Sequence, residues 1–140
     1  MLQTQSLARQ IYNQYWGQIG NKALIIALEG PLGVGKTTFV KALAQAMDIQ
    51  EAVVSPTFIL HRGYNLLDHI DLWRIEDPQE LTALGLEKMV QEKKVIVIEW
   101  AEKARSLILG FQPQARVIWI KFNYGKKEDE RRISYEDFSH

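Results

Sequence analysis

Apolar residues along this chain switch between two spacings, and the switches mark its elements. From Thr4 to about Trp16, the residues Leu7, Ala8, Ile11, Tyr12, Tyr15 and Trp16 recur at three- and four-residue steps, which predicts an amphipathic helix with one face on a core. Its aromatic stripe reads as core, against the alternatives of a cofactor box or a membrane face. "ALIIALEG" then runs apolar without alternation, as a strand covered on both faces does. "KTTFVKALAQAM" returns to helical spacing through Phe39, Val40, Leu43 and Met47. After "VVSPTFIL" a short polar turn is expected, followed by a strand in "LLDHIDLWR" centred on His69 to Leu72. In "DPQELTALGLEKMVQEKK", Asp77 reads as a helix cap, with Pro78 in the first turn and Glu80 three residues past the cap. "KVIVIEW" is a second buried-type strand, and "RVIWIKF" and "RRISYED" supply one or two more around the turn-like "NYGKKEDE".

Strands alternating with helices predict an α/β domain with a mostly parallel sheet, covered by helices on both faces. A chain of 140 residues buries enough surface for one core, so residues 1–140 are expected to form a single domain. Apolar residues at 46% and charged residues at 24% are ordinary globular usage, which argues against disorder and fibrous architecture. Seventeen basic residues balance seventeen acidic ones, so the field that proteins binding DNA or RNA directly carry is missing, and nucleic acid would be reached through a partner. For the same reason the mixed-sign run in "NYGKKEDE" reads as a solvated loop rather than an RNA-binding patch. The absence of cysteine removes disulfides, thiolate metal sites and thiol nucleophiles, and His61, His69 and His140 have no metal-ligand spacing. The longest apolar runs are too short to span a membrane and the N-terminus is polar rather than signal-like, so the expected location is the cytoplasm.

The most specific chemistry lies between the first buried strand and the second helix. Gly30-Pro31-Leu32-Gly33-Val34-Gly35-Lys36-Thr37 fits G-x-x-x-x-G-K-[ST], the phosphate-binding loop, and Thr38 adds a second hydroxyl. Successive backbone N–H groups converge on one concavity only in conformations that side chains penalise, and glycine removes the penalty. A helix starting near Lys36 adds its positive dipole end, Lys36 reaches the β and γ phosphates, and the Thr37 hydroxyl completes a Mg²⁺ shell. This makes the fold a P-loop NTPase-type three-layer domain, with its ligand beyond the C-terminal ends of the strands.

Phosphoryl transfer also needs a carboxylate for the metal and something to place the attacking group. Glu99 closes "VIVIE" and looks like the Walker B position, while Asp71 at the end of "DHID" offers a second metal contact; either can serve. Trp100 is placed to stack on a base, close the site or pack in the core. Arg74 would neutralise phosphate or form a surface ion pair, and His69 reads as a satisfied buried histidine before a catalytic base. Pro56 biases Ser55 toward an extended conformation, leaving Thr57 in a rigid turn that either senses the γ-phosphate or caps backbone.

Together, "GPLGVGKTTF", "VVSPTFIL", "HIDLWRIEDPQEL", "LGLEKMV" and "VIVIEWAEK" resemble, in order and spacing, the TsaE (YjeE) family of bacterial ATPases of tRNA threonylcarbamoyladenosine biosynthesis. The resemblance runs from about Thr4 to Lys103; the tail after it says little. It implies a P-loop ATPase using ATP and Mg²⁺ beside TsaB and TsaD, which install a threonylcarbamoyl group on tRNA, with hydrolysis resetting that complex between turnovers and tRNA met only through the partners. By position, Lys36, Thr37 and Thr38 match the nucleotide loop, Thr57 the "SPTF" threonine, Asp71 and Arg74 the HxDxYR segment, and Glu99 with Trp100 the "EW" pair. Thr4 matches a threonine near the N-terminal helix, expected close to the nucleotide. Pro31, Trp73 and Ala101 depart from the family's usual Asp, Tyr and Pro or Gly, but none removes a phosphate donor or metal ligand. Two other classes remain: a nucleotide-gated binding module with incidental hydrolysis, and a small-metabolite kinase, whose arginine-rich lid is missing. No N-K-x-D segment supports guanine specificity.

Overall fold

The computed structural model describes residues 2–18, 21–31, 35–50, 53, 61–126 and 131–138. Helix α1 (Leu2–Tyr15) tightens into a 3-10 turn at Trp16–Gln18 and leads to β1 (Ala23–Glu29) and α2 (Lys36–Ala46). A hairpin of β2 (His61–Tyr64) and β3 (Leu67–Asp71) precedes α3 (Gln79–Ala83), α4 (Leu86–Gln91) and β4 (Val95–Glu99). A 3-10 turn at Ala101–Ala104, α5 (Arg105–Leu109), β5 (Ala115–Tyr124) and β6 (Arg131–Phe138) complete it.

The six strands form one sheet in the order β2-β3-β4-β1-β5-β6. Its four inner strands are parallel, and the edge strands β2 and β6 each run antiparallel to their neighbour. The expected three-layer α/β architecture is therefore the observed one. Alternation within the strands sorts their side chains: Leu24, Ile26, Leu28, Val95, Val97, Ile118 and Ile120 join residues of α1 and α2 in one core. Ile25, Ala27, Ile96, Ile98, Val117 and Trp119 face the other way, into a second core with Leu81, Leu86, Met89 and Ile108. All of β1 from Ala23 to Leu28 is fully buried, which is why its sequence shows no polar alternation. Each large apolar side chain so buried contributes about 1.5–3 kcal/mol relative to an exposed one.

Three expectations are corrected. The polar turn expected after "VVSPTFIL" is the edge strand β2, whose exposed Arg62 and Gly63 hide strand character because an edge is solvated. The helix expected after Asp77 is two short ones, split where Gly85 takes the left-handed backbone (φ 87°) between α3 and α4. "RRISYED" belongs to an eight-residue strand, longer than expected, and Asn123 and Tyr124 of the turn-like run extend β5. The start signature itself holds: Asp77 Oδ1 accepts the Gln79 N–H at 2.9 Å, and Glu80 Oε2 accepts those of Glu76 and Asp77 at 2.8 and 3.1 Å.

Polar clamps fix both sheet edges. Arg116 binds Asp137 through two nitrogens, at 3.2 and 2.5 Å, joining β5 to β6. Asp68, buried on β3, lies 2.7 Å from His61 Nε2 and 3.0 Å from Lys94 Nζ. Burial alone would raise its carboxyl, but hydrogen bonds from His61 and Lys94 prevail and hold it below the usual carboxylate range.

Candidate functional site

Register brings the two candidate carboxylates together. Asp71 and Glu99 are direct partners across β3 and β4, and Leu28 is level with Glu99 on β1, so the acids sit where β1 hands the chain to the glycine-rich turn. With a strand period of two, His69, Asp71, Val97 and Glu99 share the α2 side of the sheet. After Pro31 the next described residue is Gly35, whose left-handed backbone (φ 112°) starts α2 without a side-chain cap. The first N–H groups of α2 have no intrahelical acceptor and, among the described residues, no side-chain cap, the arrangement that receives an anion.

Lys36 is almost fully buried, 4% exposed. Its Nζ donates to the Gly30 carbonyl at 2.5 Å and lies 3.5 Å from the centre of the Trp100 ring. Burial pushes the ammonium below lysine's ordinary value, while the charges of Glu102, Glu99 and Asp71 resist that shift. Trp100 holds this position with a left-handed backbone (φ 60°), and its ring lies 4.7 Å from that of Trp73 at a 47° tilt. Lys103 Nζ in turn donates to the Trp73 carbonyl at 2.5 Å.

The Thr37 hydroxyl is 3.5 Å from Glu99 Oε1, at the outer edge of hydrogen-bond reach, and Glu99 Oε2 lies 2.6 Å from His69 Nε2. Asp71 Oδ1 accepts the Trp73 N–H at 2.9 Å. Burial first, and the Glu99 carboxylate after it, raise the Asp71 carboxyl above its usual value; the Trp73 amide opposes this. Two crowded acids beside a hydroxyl are a hard-oxygen donor set that fits Mg²⁺, which takes one or two carboxylates and fills its shell with water and phosphate. Among the described residues no group of three or more His, Asp or Glu forms a cage by itself, so any such ion would be shared with a ligand.

Of the residues expected from sequence, Gly30, Gly35, Lys36, Thr37, Asp71, Glu99 and Trp100 converge here, with Thr38 in the first turn of α2. Thr4 is buried one turn ahead of Ala8 on the core stripe of α1, the helix that lies along α2. Arg74 is exposed just beyond β3. Leu32, Gly33, Val34 and Thr57 lie outside the described residues. Sequence reasoning missed Glu102, whose negative charge favours the Lys36 ammonium against burial. It also missed that His69 binds Glu99. The signal was present in H-x-D followed by a strand-end Glu, since alternate residues share a face.

A strand-to-helix turn with a buried lysine, a hydroxyl and two acids at the C-terminal edge of a parallel sheet defines a P-loop-type α/β fold. The solved structure of Bacillus subtilis YdiB superposes with a TM-score of 0.64 at 28% identity, covering 95% of this chain and 77% of that one. The family model for threonylcarbamoyl adenosine biosynthesis protein TsaE matches residues 2–133. The chain belongs to the TsaE family. It is 34% identical over 116 residues to the tRNA threonylcarbamoyladenosine biosynthesis protein TsaE of Haemophilus influenzae, covering 80% of this chain and 69% of the relative. With the Bacillus subtilis protein of the same name it shares 38% over 115 residues, 79% and 68% of the respective chains. Among the described residues no helix is long and apolar enough to cross a membrane.

Proposed function

We propose that this chain is a Mg²⁺-dependent ATPase serving formation of N6-threonylcarbamoyladenosine in tRNA, its hydrolysis driving turnover of a TsaB–TsaD complex rather than transferring the threonylcarbamoyl group itself. The observation that carries the reading is the Thr37–Glu99–His69 chain of polar contacts beside buried Lys36, in a chain of the TsaE family. On this reading Gly30, Leu32, Gly33, Val34, Gly35 and Thr38 enclose the phosphates with backbone amides and a hydroxyl. Lys36 exchanges the Gly30 carbonyl and the Trp100 face for β and γ oxygens, gaining an anion in a site that now disfavours its charge. Thr37, Glu99 and Asp71 hold Mg²⁺, which when bound neutralises charge developing on the transferred group. Glu99 also orients the attacking water, Thr57 senses the γ-phosphate, and Thr4 and Trp100 border the nucleotide. The balanced net charge agrees with tRNA being met through the partners.

The test is calorimetric titration of ATP with and without Mg²⁺, followed by tRNA modification reconstituted with TsaB and TsaD. Wild type binds in a Mg²⁺-dependent manner, and Lys36→Ala loses binding and multiple turnover. Equal binding by that variant would overturn the proposal. Hydrolysis by the isolated chain is expected to be slow, because a partner-completed site lacks part of its charge stabilisation. One observation favours a second reading, a nucleotide-gated docking module: the Lys36–Trp100–Trp73 stack ends on a ring 47% exposed, linking the loop lysine to the surface. Sustained turnover with a non-hydrolysable ATP analogue would select that reading.

A further inference from the structure

We infer that His69 is a positioning residue for Glu99: its Nε2–H bond fixes one carboxylate oxygen and thereby presents the other to Thr37 and the cation. The inference rests on the ATPase reading above and adds a role for a residue outside the nucleotide loop.

The geometry arises from strand register. His69 on β3 is level with Val97 on β4, two residues below Glu99 on the same face, so the two side chains are diagonal neighbours across a parallel pair. A histidine reaches up that diagonal, and the 2.6 Å contact between Nε2 and Glu99 Oε2 is the result. Both groups are shielded from water, with His69 0% and Glu99 3% exposed. A hydrogen bond in such surroundings is not exchanged for a solvent one, so it restricts the carboxylate strongly. With Oε2 held, rotation about the last bond of Glu99 is removed and Oε1 is left on the Thr37 side, 3.5 Å from its hydroxyl. Asp71, the register partner of Glu99, has no such side-chain donor among the described residues, its Oδ1 accepting the Trp73 amide instead. The two acids are therefore not equivalent: Glu99 is oriented from below, toward α2, while Asp71 is oriented by its own loop.

The other imidazole nitrogen makes the case sharper. A histidine kept only to fill a core would satisfy both nitrogens or give way to leucine. Nδ1 of His69 is buried with no hydrogen-bond partner among the described residues. In the neutral tautomer that carries its proton on Nε2, Nδ1 is an acceptor only. His69 sits on the sheet face whose apolar layer includes Leu67, Val97 and Phe39, and among the described residues its hydrogen bond is the one to Glu99.

Partners that orient a metal-holding carboxylate typically alter metal affinity or activity about 10- to 100-fold when removed. The test compares wild type with His69→Leu, His69→Gln and His69→Asn. The glutamine amide nitrogen can occupy the Nε2 position, whereas that of asparagine reaches only to Nδ1. Mg²⁺ affinity of the ATP complex is read by calorimetry, and kcat and KM for ATP in the TsaB–TsaD reconstitution, with circular dichroism as the folding control. Expected are about 10- to 100-fold losses in Mg²⁺ affinity and kcat for His69→Leu and His69→Asn, KM for ATP within about 3-fold, and recovery to within about 5-fold in His69→Gln. In a Glu99→Gln background the same His69 substitutions change kcat no further, since His69 acts through that carboxylate. If His69→Leu fails to fold, the Gln and Asn pair carries the comparison. Equal performance of these two, or losses that persist undiminished in Glu99→Gln, would overturn the inference. A wild type that binds ATP without regard to Mg²⁺ defeats the ATPase reading instead. The imidazole ¹⁵N spectrum of the nucleotide-free protein gives a readout independent of activity: a slowly exchanging proton on Nε2 is expected, its resonance lost in Glu99→Ala.

Discussion

Replacing Asp71 with asparagine should stabilise the nucleotide-free protein at neutral pH while weakening its hold on Mg²⁺ and ATP. Asp71 and Glu99 are register partners on adjacent parallel strands, a spacing of about 4.8 Å. Burial is the larger cost to the Asp71 charge, and two full charges at about the strand spacing would add roughly 3 kcal/mol of repulsion at an effective dielectric near 20. Asp71 is partly exposed and Lys36 attracts both acids, so about 1 kcal/mol is the net cost after screening. Asparagine keeps an oxygen for the Trp73 N–H and removes the charge. The sign follows from the raised carboxyl: the folded state holds the Asp71 proton to higher pH than the unfolded chain does, so wild type loses stability as pH rises through that window. The variant does not. Thermal unfolding in chelator should show Asp71→Asn melting roughly 3 °C above wild type near pH 7.5, with the gap closing below about pH 4. A variant that melts at or below wild type at neutral pH, or a gap unchanged by acid, would refute the crowding argument.

Lys94→Met should destabilise by about 2 kcal/mol in urea titrations at neutral pH, because it removes one of the two basic partners that the buried Asp68 carboxylate has among the described residues. Asp68 is held below its usual range, so its contribution is present above the unfolded value and fades as pH falls through the folded one; the deficit should shrink toward acid. Gly85→Ala should cost about 1 kcal/mol through its left-handed backbone alone, since an added Cβ meets nothing within 4 Å, and ATP binding should not change.

Much of the molecule was legible in order along the chain. Uninterrupted apolar runs marked β1 and β4 because a strand covered on both faces has no polar side, and the Asp77–Glu80 pair marked a helix start because its hydrogen bonds are local. Edge strand β2 was illegible, since solvent on an edge permits Arg62 and Gly63 where a central strand would not. The helix break at Gly85 was written in a single glycine, but an isolated glycine also occurs inside intact helices, so only packing of Leu81 and Leu86 into one core decided it.

For the site, sequence by itself supplied the candidates: the loop glycines, Lys36, Thr37 and two strand-end acids, since these depend on residue type and short spacing. Tertiary structure alone decided which groups meet. Sheet order set β3 beside β4 and β4 beside β1, so Asp71, Glu99 and Thr37 share one corner and His69 lies under Glu99 across thirty positions of sequence. The cradle of Lys36 between the Gly30 carbonyl and Trp100 was likewise decided there, because side chains from separate strands become neighbours only through pairing and burial, which no local pattern encodes.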